Sequence, residues 1–257
     1  MMPKILGIVN VTPDSFWSGS RVSDSASLLE RVGTMLSQGA HAIDIGGCST
    51  RPDSQPVSES QEMERLEWAL GTVRAAYPDI LLSVDTYRPA VAERCIRQWK
   101  AGIVNDVSGG CPEMFSLVAR TGVRYVLTWA ETVKADVMAE MIGFFRRQTD
   151  MMSHMGIDVK DRVILDPGFG FGKTLEQNWT VLANLGQLSE LGLTVLAGLS
   201  RKSMAYRLLG ITPEECLGAT MVMNAAALQG GAEWLRVHDV PEAVQVIRMV
   251  QAAQENK

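Results

Sequence analysis

The sequence predicts an α/β fold, a single (β/α)₈ TIM barrel occupying residues 1–257. Three observations carry this. The chain has 257 residues, close to the roughly 250 of a typical barrel of this kind. Eight short apolar, β-branched runs recur along its whole length. Helix-spaced segments separate them, so strand and helix alternate to the end. Such alternation implies parallel strands with right-handed crossovers, and eight units in this length favour closure over an open doubly wound sheet. No linker, low-complexity tract or second domain is visible.

In order, the strands are predicted at residues 4–9, 41–45, 80–84, 102–105, 124–128, 162–165, 194–198 and 234–237. None alternates cleanly, as expected for strands buried on both faces. After the first strand, Leu28, Leu29, Val32 and Leu36 carry helical spacing. After the second, the capping-box spelling Ser58-x-x-Gln61 precedes Met63, Leu66, Leu70 and Val73. A second such spelling, Thr212-Pro-Glu-Glu215 with Pro213 in the first turn, predicts a helix start at Thr212. Leu217, Met221 and Ala225 continue the spacing, and Gly230-Gly231 suits its stop.

Composition narrows the function. The hydrophobic share is 46% and the charged share 21%, ordinary values for a globular protein. With 24 basic and 29 acidic residues the net charge is −5. That argues against nucleic acid as a partner, although a local pocket can still be positive toward a small anion. No run approaches the roughly 18 apolar residues of a membrane span. Residues 5–9 are too short for a signal segment and end at Asn10, Thr12, Pro13 and Asp14. Cys48, Cys95, Cys111 and Cys216 lie far apart without a C-x-x-C pair. Neither a zinc site nor a disulfide framework is indicated, and a cytoplasmic location is expected.

The residues just after each strand carry the chemistry. Asn10-x-Thr-Pro-Asp-Ser-Phe16 follows the first and Gly46-Gly-Cys-Ser-Thr-Arg-Pro52 the second. Asp85-Thr86, Asn105-Asp106, Asp166-Pro-Gly168, Ser200-Arg-Lys-Ser203 and Arg236-Val-His-Asp239 sit at the third, fourth, sixth, seventh and eighth. In a (β/α)₈ barrel these ends converge on the face that holds active sites. Acid and amide groups there are opposed by Arg51, Lys202, Arg236 and His238. Gly168-Phe-Gly-Phe-Gly-Lys-Thr174 is not a P-loop, because only three residues precede Gly-Lys, and it is not G-x-G-x-x-G either. It reads as a turn that admits a ligand, with Phe169 and Phe171 as walls.

These motifs, together with Asp44-Ile-Gly-Gly and Ser83-Val-Asp-Thr86, resemble those of the dihydropteroate synthases, in the same order from about residue 4 to about residue 250. The resemblance implies an enzyme that joins 6-hydroxymethyl-7,8-dihydropterin diphosphate to p-aminobenzoate and releases diphosphate. It implies a pterin subsite of Asp85, Asn105, Asp166 and Lys202. It implies a diphosphate subsite of Asn10, Thr50, Arg51, Arg236 and His238, with Mg²⁺ at Asn10. Thr50, Pro52, Phe171 and Ser203 would bound p-aminobenzoate. Asp85, Asp166, Lys202 and Arg236 would be catalytic, and a homodimer through the last helices is implied. Residues 10–20 and 48–56 are expected to close over the substrates.

The residue types suit that work. A carboxylate such as Asp166 can accept the paired N–H groups of a pterin edge, and the Asn105 amide can both donate and accept. Cations stabilise a departing diphosphate more than the bound substrate. Two departures stand out. Position 48 is Cys where the resemblance leads one to expect Glu. The loop after the fifth strand is short, and its Trp129 either stacks on the pterin or is an ordinary core residue. Two alternatives therefore remain, a non-catalytic or altered-substrate pterin-binding paralogue and a methyltetrahydrofolate-dependent methyltransferase domain. His41, His154, Cys95, Cys111, Cys216 and the methionines read as structural.

Overall fold

All eight expected strands form, with ends shifted by no more than two residues. The computed structural model describes residues 2–12, 24–48 and 57–256. Its strands are β1 (Lys4–Asn10), β2 (Ala42–Gly46), β3 (Leu82–Asp85), β4 (Ile103–Asp106), β5 (Arg124–Thr128), β6 (Val163–Asp166), β7 (Thr194–Ala197) and β8 (Trp234–Val237). Each pairs in parallel with its sequence neighbour, and β8 returns to β1 to close the barrel. The helices are α1 (Ser25–Ser37), α2 (Glu59–Ala76), α3 (Pro89–Trp99), α4 (Pro112–Thr121), α5 (Val137–His154) and α6 (Val159–Arg162). They continue as α7 (Leu175–Ala183), α8 (Gly186–Ser189), α9 (Ser203–Leu209), α10 (Leu217–Gln229) and α11 (Val240–Glu255).

Strand parity builds the site. Leu6, Ala42, Ile103, Val126, Ile164, Leu196 and Trp234 form an apolar cluster of their own, apart from the larger core between strands and helices. Side chains alternate faces along a strand, so the residue two positions further on points inward again, nearer the C-terminal mouth. Those residues are Ile8, Asp44, Asn105, Thr128, Asp166, Gly198 and Arg236. The floor of the barrel is thus apolar and its upper layer is polar.

Local signals behave largely as the sequence predicts. Ser58 caps α2 with a full capping box, and α10 ends at Gly230. His41 Nδ1 accepts from Ile5 N–H at 3.1 Å, a structural role. The helix start expected at Thr212 does not form. Half of its box is present, with Thr212 N–H donating to Glu215, but α10 begins five residues later. Arg201 is the cause: its guanidinium takes the carbonyls of Pro213 and Glu214 at 3.0 and 2.8 Å. Those oxygens are then held in a turn outside any helix.

The β4 end is fastened from behind. Asp106 accepts from Ser108 N–H and its hydroxyl, and from the buried Tyr125 hydroxyl at 2.7 Å. Tyr125 also packs edge-on against Phe115. Replacing Tyr125 with Phe keeps the ring and strands one oxygen of a buried carboxylate. Urea unfolding should show a loss of about 1–3 kcal/mol; an unchanged midpoint and slope would show that this bond does not hold the β4 end.

Candidate active site

Polar side chains from the upper layer meet in one cavity at the C-terminal mouth. Asn10, Cys48, Asp85, Asn105, Asp166, Phe169, Phe171, Ser200, Arg201, Lys202, Arg236 and His238 all line it. Its organising group is Arg236. The Arg236 Nε lies 2.7 Å from Asp44 Oδ2, and Nη2 lies 2.6 Å from Asp85 Oδ2. Asn105 Nδ2 donates to the same Asp44 oxygen at 3.0 Å. Strands β2, β3, β4 and β8 are therefore tied by one network. It leaves Asp44 Oδ1, Asp85 Oδ1 and Asn105 Oδ1 buried with no hydrogen-bond partner. Buried acceptors without donors are uncommon and costly, and here two of the three belong to cavity-lining residues.

The charges are strongly perturbed. Burial, opposed by Arg236 and reinforced by Asp44, Glu62 and Asp106, holds Asp85 well above the usual carboxylate range. Burial also works against the Arg236 charge, yet Asp44 and Asp85 hold it protonated even more firmly than usual. Asp166 is raised by burial, with the Gly168 N–H, Lys202, Arg236 and Lys173 pulling the other way. Lys202 is pushed down to about 8 by burial, against the attraction of Asp166; its ammonium sits 4.8 Å from the Phe171 ring centre.

His238 is altered too. Burial and then Arg236, Arg31, Arg201 and Lys202 push it down to about 3. It is neutral at pH 7, with Nδ1 3.0 Å from Ser200 Oγ, so it offers an anion a hydrogen bond and no charge of its own. The same cations make this end of the cavity attractive to an anion.

Every described pterin-subsite candidate, Asp85, Asn105, Asp166 and Lys202, lies in this one cavity, as do Asn10, Arg236, His238 and Phe171. Ser203 is the first residue of α9 and is not among the lining residues. Thr50, Arg51 and Pro52, and most of the segments expected to close, fall outside the described residues. Sequence reasoning assigned Asp44 no role. Its signal was a charge in an otherwise apolar strand at an inward-facing position. Arg201 was also passed over; it has φ +53° and forms a two-bond pair with Asp239, both contacts 3.0 Å.

Trp129 does not reach the cavity. It is fully buried, with the Lys173 ammonium 4.4 Å from its ring centre, so it is a core residue and does not stack on a ligand there. Cys48 does line the cavity, its thiol pushed up by burial and then by Glu62. Among the described residues no group of three or more His, Cys, Asp or Glu side chains could hold a metal ion. Asn10 brings one neutral hard oxygen, a donor that suits Mg²⁺ when phosphate oxygens and water supply the other ligands.

Comparison with known proteins places this geometry in context. A family model described as pterin-binding enzyme matches residues 6–238. The chain is 37% identical over 260 residues to the dihydropteroate synthase of Synechocystis sp., covering 96% of this chain and 89% of that one. It is also 37% identical over 268 residues to the Escherichia coli K12 dihydropteroate synthase, covering 99% and 94%. A Yersinia pestis dihydropteroate synthase solved with a sulfonamide drug superposes with a TM-score of 0.93 at 35% identity, covering 99% and 95%. A Xanthomonas albilineans dihydropteroate synthase with 4-aminobenzoic acid gives 0.90 at 38%, covering 98% and 93%.

The His238 environment makes a prediction. A histidine pKa lowered to about 3 means the unfolded chain binds more protons than the folded one from there up to the ordinary value near 6.5. This residue's contribution to stability is therefore complete above about pH 6.5 and is lost as pH falls toward 3. In NMR the His238 ring should show no titration between pH 5 and 8. A transition near 6.5 would overturn the buried, cation-facing assignment.

Proposed function

The chain belongs to the dihydropteroate synthase family, and on that premise we propose how its residues divide the work. The protein is a transferase of folate biosynthesis that condenses 6-hydroxymethyl-7,8-dihydropterin diphosphate with p-aminobenzoate and releases diphosphate. The observation that carries the division of roles is the set of orphan acceptors in the cavity wall. Asp85 Oδ1 and Asn105 Oδ1 are buried without donors, and a pterin edge is a row of N–H donors.

Asp166 takes the paired N–H groups of the pterin, Asn105 reads the ring amide, and Lys202 sits across from Asp166. Arg236 joins this floor to the diphosphate end, where Asn10, Thr50, Arg51 and His238 complete the subsite. As the C–O bond breaks, charge builds on the diphosphate, and preorganised cations stabilise that state more than the ground state. The cation left on the pterin is delocalised and lies beside Asp85 and Asp166. The p-aminobenzoate nitrogen then needs only to be placed, with Thr50, Pro52, Phe171 and Ser203 around its ring. No protein nucleophile enters. If Mg²⁺ arrives with the diphosphate, Asn10 is its protein ligand, and the ion neutralises developing phosphate charge.

A homodimer through the last helices is part of this reading, and the surface supports it. Val222 and Met249 are each 71% exposed, and Leu208 and Leu209 more than half, on helices α9 to α11. Apolar groups left uncovered there suit a second copy. Cysteines that form no disulfide among the described residues support a reducing, cytoplasmic location; among the described residues no helix is long and apolar enough to cross a membrane.

Two tests follow. Asp166→Asn replaces an acceptor with a donor and should weaken pterin binding roughly 30- to 1000-fold in calorimetry, with its melting temperature little changed. The unmutated protein should release diphosphate when given both substrates, more slowly with EDTA if Mg²⁺ is used. Unchanged pterin affinity would sink the pterin assignment, and no release would favour a non-catalytic paralogue. Separately, the protein should sediment at twice the chain mass, and Val222→Glu with Met249→Glu should halve it.

A further inference from the structure

Lys173 lies outside the cavity lining, yet it is built into the wall that presents Asp166. Its Nζ donates to three backbone carbonyls, Trp129 at 3.2 Å, Gly168 at 3.0 Å and Phe171 at 2.9 Å. The face of Trp129 completes the surroundings, with its ring centre 4.4 Å away. Three carbonyls and a ring face form a seat for a cation rather than for a neutral amine.

The backbone around it is shaped to make that seat. Gly168, Gly170 and Gly172 have φ of +64°, +85° and +58°. A Cβ on Gly168 would strike the Trp129 carbonyl, and one on Gly172 the Glu131 carbonyl. The loop after β5 therefore rests directly on the turn after β6. Trp129 N–H donates to Asp166 O at 2.9 Å, and Gly168 N–H donates to Asp166 Oδ1 at 2.8 Å. Asn178 holds the turn from its other side through Gly170 N–H at 2.7 Å. The Asp166 carboxylate, Phe169 and Phe171 all depend on this turn for their position.

We propose that Lys173 is a positioning residue for pterin binding: seated on Trp129 and three carbonyls, its ammonium fixes the 167–172 turn and with it the aim of the Asp166 carboxyl group. The proposal rests on Asp166 being the pterin acceptor. The charges facing Asp166 are Lys173 from its own turn, Lys202 from the loop after β7 and Arg236 from β8, and the last is already shared between Asp44 and Asp85. Lys173 is thus one of three cations opposing the effect of burial on this carboxylate. Burial lowers Lys173 itself to about 8, so it remains mostly protonated at pH 7.

The test is pterin calorimetry across pH. Lys173→Gln keeps donors for the carbonyls and removes the charge, whereas Lys173→Arg keeps both. At pH 7 the Gln variant should bind pterin about tenfold more weakly, and its acid-side loss of binding should move up by about one pH unit, because an unsupported carboxylate protonates sooner. The Arg variant should restore both. In an Asp166→Asn background, Lys173→Gln should add less than about threefold, since the two act as a unit. An acid limb that stays in place, or full additivity with Asp166→Asn, would overturn the proposal. If the Gln variant does not fold, Trp129→Phe serves instead and should move the same limb upward by a smaller step; no movement overturns it. An Asp166→Asn protein that binds pterin normally would refute the underlying pterin assignment, and this inference with it.

Discussion

The bridge that Arg236 makes between Asp44 and Asp85 is the constraint around which the barrel mouth is organised. Two carboxylates from adjacent strands point inward, out of bulk solvent, and repel each other there. A single guanidinium from the last strand lies between them and makes the arrangement tolerable. Buried ion pairs of this sort add little net stability, but losing one partner typically costs about 3–5 kcal/mol. The network is better understood as fixing a geometry: it aims one oxygen of each acid, and the Asn105 carbonyl, away from the bridge.

Several groups around the cavity sit in the protonation state that burial disfavours, or have been pushed out of it. Asp166 is raised, Lys202 and Lys173 are lowered, and His238 is driven neutral. The Asp166, Lys202 and Lys173 shifts oppose folding near neutral pH, and the His238 shift does so only below about pH 6.5, so stability must come from elsewhere. It comes from the apolar layer between strands and helices and from the plug at the barrel floor. Such concentration of unfavourable electrostatics in one place is common where structure serves chemistry.

The sequence made most of this legible, because strand ends in a parallel barrel all point to one face. Runs of β-branched residues located every strand, and the polar residue after each run named most of the cavity. What stayed hidden has identifiable physical causes. Asp44 lies inside a strand, so a rule that looks only past strand ends misses it, although parity with Ala42 would have turned it inward. Trp129 belongs to the core because the short loop after β5 lies on the glycine turn, a contact between segments some forty residues apart. The failed helix start at Thr212 has a similar origin. Its capping spelling is sound locally, but Arg201, reaching from another loop, claims the carbonyls that a helix would have needed. The Cys48 departure places a thiol in the cavity wall where a carboxylate was expected.

Closure of the ring by β8 against β1 has a consequence for how the chain is made. The carboxylates of β2 and β3 leave the ribosome early, and the arginine that reconciles them belongs to the final strand. Until that strand is released, a growing chain holds a partial sheet with open edges and two inward-facing acids without their counter-ion. Contacts this distant in sequence slow folding, and unpaired edges invite aggregation while they wait. The arrangement that builds the cavity therefore also leaves the charge balance of its first strands to the last one.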